Sequence, residues 1–455
     1  MSKRTATGVR LAVFGLAFYP FANQPAMAAE YVQAESPPPA SAGKVLGPLD
    51  WAFRAKPIPE RFVWEAAKEA LEDAPRFFRD TKFNYDFRTY SFDRRNSSID
   101  QREAWAIGGQ LAYESGWWNN IGVRAAYYNS TELDSDGLPT GLLTLRQENI
   151  SVIGEANLRY QFTDGMLAGS VIQLYRQTLD LPYINKHDIR MVPASHEGYT
   201  IQRDNSSLDY IVGHLTKFKD FDSEDFVHMS EAAGAAGTDQ GVTVAGLRYP
   251  VNDELTIGAG SWYGWDTFNT FFAEATYHQV LAGDLDFRLS GQFTDQRSVG
   301  DKLVGDFDTH HFAAGAAFGW RGAVVKLARS ITSDEARIRK PWGGSPSYVS
   351  IQRLDFDRAN EKAVLLGLSY NTEFFSSLGL SSYINIAHGT NAELALTGTS
   401  LPDRTEYNLT IDYNPPRGLL KGLWVRARYA RLDIDGDDEK VRDIRIIVNY
   451  SIPFL

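Results

Sequence analysis

The chain has 455 residues and a formal net charge of −11, which excludes a nucleic-acid-binding surface, because phosphate recognition needs clustered basic residues and none is present. It has no cysteine, so disulfides and thiolate metal sites are excluded and the chain is suited to crossing an oxidising compartment. With 22 Tyr, 26 Phe, 10 Trp and 38 Gly spread over short segments, and no linker-like break past residue 80, the composition favours one large unit of antiparallel strands.

Lys3, Arg4 and Arg10 precede an apolar run from Leu11 to Tyr19, and Ala26-Met27-Ala28 follows. This predicts a secretory signal over residues 1–28, too short in its apolar run for a spanning helix. Residues 29–80 form a second region. Pro37, Pro38 and Pro39 predict an extended leader. Val63, Ala66, Ala67, Ala70, Leu71 and Ala74 recur at helical spacing between Pro59 and Pro75, predicting a short amphipathic helix on the periplasmic side, either capping a barrel or plugging it.

From Thr81 the period is two. Phe83, Tyr85 and Phe87 alternate with Asn84, Asp86 and Arg88; Ile121, Val123, Ala125 and Tyr127 alternate with Gly122, Arg124 and Ala126. The last stretch repeats the pattern, with Ile444, Ile446, Val448, Tyr450, Ile452 and Phe454 on one side and Asp443, Arg445, Asn449 and Ser451 on the other. Short links at 116–119, 163–165, 205–207, 250–254, 282–283, 321–322, 372–378 and 415–418 alternate with mostly longer polar ones at 93–101, 130–147, 179–197, 218–240, 296–306, 332–360, 390–402 and 433–440. Tight turns alternating with long loops predict an all-β, transmembrane, antiparallel up-and-down β-barrel of about eighteen strands over residues 81–455. A barrel of that size leaves an aqueous lumen, and the architecture therefore implies a channel in the outer membrane of a Gram-negative bacterium.

The segment Leu181 to Pro193, followed by Glu197-Gly198-Tyr199-Thr200, resembles the third loop of the OprD family of outer-membrane porins. Asp80 to Arg94 and Leu208 to Thr216 resemble strands of the same family in matching order. The resemblance implies eighteen strands, a third loop folded inward as the constriction, and passive uptake of small solutes, commonly carboxylates, along a ladder of wall arginines. It points to Pro182, Asp188, Arg190, Pro193 and Tyr199 as the constriction loop, with Arg190 leading the filter.

The polar side of the alternation supplies a candidate ladder: Arg88, Arg124, Arg159, Arg248, Arg288, Lys326, Arg426, Arg428 and Arg445. Charge in lipid costs roughly 2 to 4 kcal/mol at the bilayer midplane, so these side chains are expected in the lumen. There guanidiniums would guide carboxylates by bidentate contact. Glu155, Glu274, Asp286, Glu406 and Asp412 share that face, so pairing within the wall is the competing expectation. Two acidic clusters, Asp220 to Asp225 and Asp433 to Glu439, read as solvated loop tips or as cation bridges to lipopolysaccharide.

A hydrolase is the weaker alternative. No Gly-x-Ser-x-Gly elbow is present, Ser195 merely adjoins His196, and His310 and His311 point to opposite faces of one strand. A structural or adhesive barrel is the other. Neither cofactor nor metal is expected. The expected partners are small anionic or zwitterionic solutes (amino acids, small organic acids, peptides), outer-membrane lipid and lipopolysaccharide; homo-oligomers are compatible with the apolar outer strands.

Overall fold

The computed structural model describes residues 63–455 except 97–99, 205–207, 282–284, 373–377, 419 and 438–439. The expected signal, the proline-rich leader, the turns at 205–207 and 282–283 and the acidic tip at Asp438 and Glu439 lie wholly or partly outside the described residues. Eighteen long strands follow one another: β1 Lys82–Asn96, β2 Asp100–Glu114, β3 Ile121–Ser135, β4 Ile150–Gln161, β5 Val171–Gln177, β6 Ser195–Arg203, β7 Asp209–Lys219, β8 Val242–Pro250, β9 Leu255–Gly264, β10 Phe268–Leu281, β11 Leu285–Ser298, β12 Asp308–Trp320, β13 Ala323–Thr332, β14 Lys362–Asn371, β15 Leu380–Thr390, β16 Arg404–Tyr413, β17 Leu423–Ile434 and β18 Val441–Pro453. Each pairs antiparallel with its neighbours, and β1 pairs with both β2 and β18. The sheet therefore closes, and no edge is left to template aggregation.

Alternation sorts the side chains as the period-two reading requires. Leu158, Leu247, Tyr249, Leu289, Leu327, Leu366, Ile384 and Ile446 stand exposed on the outside, which in a membrane is the lipid belt. Trp265 and Trp320 mark opposite strand ends, where aromatic rings sit at headgroup level. No helix among the described residues is long and apolar enough to span; the crossing is made by strands.

The expected helix between Pro59 and Pro75 is shorter than its periodicity suggests. It comprises α1, Glu65–Ala70, with no buried residue, and Pro75 opens a second turn, α2, Arg76–Arg79. Proline is suited to a first helical turn, so it starts a helix here as well as ending one. This segment lies on the short-turn rim: the Val63 amide donates to the Pro453 carbonyl at 2.9 Å, Trp64 to Phe454 at 3.2 Å, and Gly116 to Phe77 at 2.9 Å. The Trp64 ring packs 5.0 Å from that of Phe454, which lies 5.1 Å from Phe83.

Candidate functional site

Two long connections leave the upper rim and fill the lumen. The first, 178–194, leaves β5, turns at Pro182-Tyr183 between the short strands Asp180–Leu181 and Ile184–Asn185, and re-enters the wall at β6. One end is fixed to β11, where the Tyr183 hydroxyl lies 2.9 Å from Thr294 Oγ1. The other is fixed to β1 and β18. Arg88 holds Asp188 at 2.5 and 3.2 Å, donates to Asn449 Oδ1 at 2.7 Å, and also donates to the Arg190 carbonyl. The loop is thus a crossbar from β11 to β1.

Arg190 is not a lumen-facing filter group. It is 2% exposed, donating from Nε to the Thr140 carbonyl at 3.0 Å and from Nη1 to the Ile189 carbonyl at 2.9 Å. Its guanidinium carbon lies 5.3 and 5.9 Å from the rings of Phe92 and Phe221. The neighbours Ile189, Met191 and Val192 are all buried, and they draw the arginine inward with them. Burial, with Arg445 nearby, lowers its pKa to about 10, so it remains charged at neutral pH. Gly141 has φ +80, and a Cβ there would meet the Phe221 ring at 2.9 Å and Arg190 Nε at 3.2 Å. Backbone conformation and close approach both call for glycine.

Pro193 is buried, and its carbonyl accepts a bond from Lys219 Nζ at 3.0 Å. Tyr199 lies outside the constriction. It stands on the outer face of β6, 56% exposed and directly opposite Leu174. A register shift at Glu197/Gly198 re-aims the side chains beyond it, as bulges do.

The second inward connection, 333–361, was expected as an outer polar loop. Instead Ile338, Trp342, Val349, Ile351, Leu354 and Phe356 are buried inside the barrel. Its apolar content was the legible sign. Trp342 joins it to the first crossbar: the ring stacks on Phe268 at 5.0 Å, Nε1 donates to the Met229 carbonyl at 2.8 Å, and the Trp342 carbonyl receives the Asn185 amide at 3.3 Å. Farther on, Lys340 bonds to both Asp355 and Asp357, and the Glu406 carboxylate receives the Arg353 and Leu354 amides at 3.0 and 2.9 Å.

The candidate ladder divides in two. One group is consumed in holding the loops and wall. Besides Arg88, Arg445 binds Asp443 at 2.7 Å and the Gln352 carbonyl at 3.2 Å, and Arg426 binds Asp412 at 2.7 and 3.0 Å. Arg428 stands directly opposite Arg445 and is 2% exposed. Arg94, which shares the parity of Arg88 on β1, was missed; it binds Asp443 at 2.7 Å. Arg353 of the second inward loop reaches the same carboxylate at 4.0 Å.

In the other group Arg124 and Arg248 are more open to water, whereas Arg159 is no more exposed than Arg426. Arg124 binds Glu155 at 2.7 Å and Glu114 at 3.1 Å, and Arg159 binds Glu114 at 3.1 Å. Arg248 lies 3.3 Å from Glu274 across Gly258, where a Cβ would stand 3.0 Å from the Glu274 carboxylate. Arg288, Ala317 and Lys326 form one row across β11, β12 and β13. The carboxylates therefore do pair with part of the ladder, as the competing expectation had it.

Among the histidines, His196 Nε2 lies 3.3 Å from the Trp342 carbonyl, and His311 binds Thr332 and Ser347 at 2.9 and 3.0 Å. His310 stands exposed on the outer face. The acidic stretch from Asp220 is not a free tip, since Asp222 is buried and Glu224 accepts the Ser151 amide at 2.5 Å.

Burial, reinforced by Asp220, pushes the Asp222 carboxyl up to about 7. Its protonated form therefore favours the packed loop, a contribution complete below the unfolded value near 3.9 and lost as pH rises through about 7. Burial and then Arg190 hold His187 down at about 3, so its opposing cost arises only below the unfolded histidine value near 6.5.

Residues 75–454 match the family described as outer membrane porin, OprD family. Among solved structures, OccK9 (OpdG) of Pseudomonas aeruginosa superposes with a TM-score of 0.76 at 19% identity, covering 83% of this chain and 100% of that one. OpdK of the same organism, solved with vanillate, gives 0.73 at 19% with the same coverages. OccAB1 of Acinetobacter baumannii gives 0.73 at 17%, covering 84% and 99%. No curated protein sequence matches significantly. With the closed barrel and its inward loops in place, the match over nearly the whole barrel means that the chain belongs to the OprD family of outer-membrane porins.

Proposed function

We propose that this porin passes small anionic or zwitterionic solutes bearing a carboxylate, such as amino acids, small organic acids or short peptides. The supporting observation is the lumen-facing row Arg288 and Lys326, with Arg248 nearby on the same wall, and Arg124 and Arg159 on strands about half the barrel away. A carboxylate passing the Arg288–Lys326 row meets two cationic side chains that attract it and can donate charge-assisted hydrogen bonds. The wall itself offers an internal precedent, since Asp443 is bound by Arg94 and Arg445 at 2.7 Å each. OpdK, solved with vanillate, itself a carboxylate, is in keeping with this reading. Residues 63–80 act as a rim cap, consistent with their bonds to Pro453 and Phe454. The outer face meets lipid and lipopolysaccharide.

The test is reversal potential in a salt gradient across a planar bilayer, with and without small carboxylates. The double variant Arg288→Gln/Lys326→Gln should lower the anion-to-cation permeability ratio by about threefold, the effect of losing roughly one kT of local potential. An unchanged ratio, together with conductance indifferent to carboxylates, would leave a porin without the proposed preference.

A further inference from the structure

The outer face near the long-loop rim carries basic residues that the channel does not use. Three of them are neutralised by an aspartate two positions away on the same strand. Arg95 binds Asp93 at 3.0 Å, Arg297 binds Asp295 at 2.6 Å, and Arg431 binds Asp433 at 2.8 Å. Three others have no such partner. Arg329 on β13, Lys362 on β14 and Arg442 on β18 are exposed, and no described residue forms an ion pair or side-chain hydrogen bond with their charged ends. Asp334 and Glu335 follow in the loop above β13, but neither reaches Arg329 or Lys362.

Register places these cations together on one side of the barrel. Lys362 lies opposite Ile331, and Arg329 opposite Val364, which makes Arg329 and Lys362 diagonal neighbours. Val364 in turn faces His388 on β15. Arg442 stands directly between Arg431 and Arg95 in one row across β17, β18 and β1. Arg95 and Arg431 carry Asp93 and Asp433 as counterions, which leaves Arg442 as the unneutralised charge of that row. Directly below lie the exposed apolar side chains Leu327, Leu366, Ile386, Tyr429, Ile444 and Ile446, an acyl-chain surface. The cations thus sit where strands leave the hydrocarbon at the loop end, at the level of outer-leaflet headgroups.

We propose that the outward face of β13 to β18, through Arg329, Lys362 and Arg442, binds the phosphates of lipopolysaccharide in the outer leaflet. Two phosphates on one acylated disaccharide match the chemistry of this surface: separated anions above several acyl chains. From β14 to β18 the belt spans four strand spacings, roughly 19 Å, with His388 and Arg431 between. Partly desolvated phosphate accepts charge-assisted bonds from both Arg and Lys. The proposal rests on the outer-membrane location of the barrel and is independent of which solute the lumen selects.

The experiment uses protein refolded in detergent free of lipopolysaccharide, titrated with diphosphoryl lipid A and with its dephosphorylated counterpart. The triple variant Arg329→Gln/Lys362→Gln/Arg442→Gln should bind diphosphoryl lipid A about tenfold more weakly, a difference of about 1.4 kcal/mol. The paired-cation control Arg297→Gln should bind as the parent does. Equal binding by triple variant and parent would overturn the proposal, as would equal affinity of the parent for dephosphorylated lipid. Retained barrel mobility on cold electrophoresis identifies folded protein; if the triple variant fails it, Arg329→Gln and Arg442→Gln singly must each show part of the loss. Conductance in plain phosphatidylcholine bilayers reads the porin separately, so failure of one reading does not hide failure of the other.

Discussion

Arg190→Ala should raise single-channel conductance, make the 178–194 loop protease-sensitive, and change the anion-to-cation permeability ratio little. Its guanidinium bonds to the carbonyls of Thr140 and Ile189 and packs between Phe92 and Phe221. Removing it leaves buried acceptors without donors and a cavity between two aromatic rings. Hydrogen bonds involving a charged group are worth about 1.5 to 3 kcal/mol each, enough to shift the loop from docked to substantially open. A filter arginine would behave in the opposite way, altering selectivity at nearly constant conductance. Arg190→Met separates packing from charge: filling the same volume with an apolar side chain should restore part of the docking. If Arg190→Ala instead shifts the reversal potential strongly without raising conductance, the anchor assignment fails.

Trp342→Ala should release both inward loops together. The indole is 1% exposed, stacked on Phe268, bonded to Met229, and its residue's carbonyl receives the Asn185 amide. Truncating a buried tryptophan costs about 3 to 5 kcal/mol. That loss falls on contacts between loops and barrel interior, whereas the wall keeps its eighteen-strand ladder. Hydrogen exchange should therefore collapse in 178–194 and 333–361 while the strands stay protected and the folded barrel still migrates as such in cold detergent gels. Conductance should rise and become noisier. Unchanged protection in the first loop would show that Trp342 does not couple the two.

Much of the fold was legible because a barrel wall is a local object. Each strand shows its two faces in its own alternation, and the turn lengths reveal which end faces which compartment. Eighteen strands could therefore be counted without any long-range contact. Arg88, Arg124, Arg159, Arg248, Arg288, Lys326, Arg426, Arg428 and Arg445 all sit on strands whose outward apolar side chains show in the alternation. Strand parity gave no means of separating open from anchored side chains. Arg248 and Arg445 have the same periodic context, yet the first faces open lumen and the second lies beneath a loop, bound to Asp443 and Gln352.

The sequence by itself determined a closed antiparallel outer-membrane barrel with polar and charged side chains on its inner face, because period-two patterning and turn spacing are properties of neighbouring residues. Only the tertiary structure decided what fills the barrel. The burial of Arg190, the outward turn of Tyr199 past a bulge, and the inward fold of 333–361 on Trp342 depend on contacts between residues as distant as Asn185 and Gly344. No local period encodes such contacts. Loop conformation is set by the wall and by the partner loop, and both exist only once the sheet has closed.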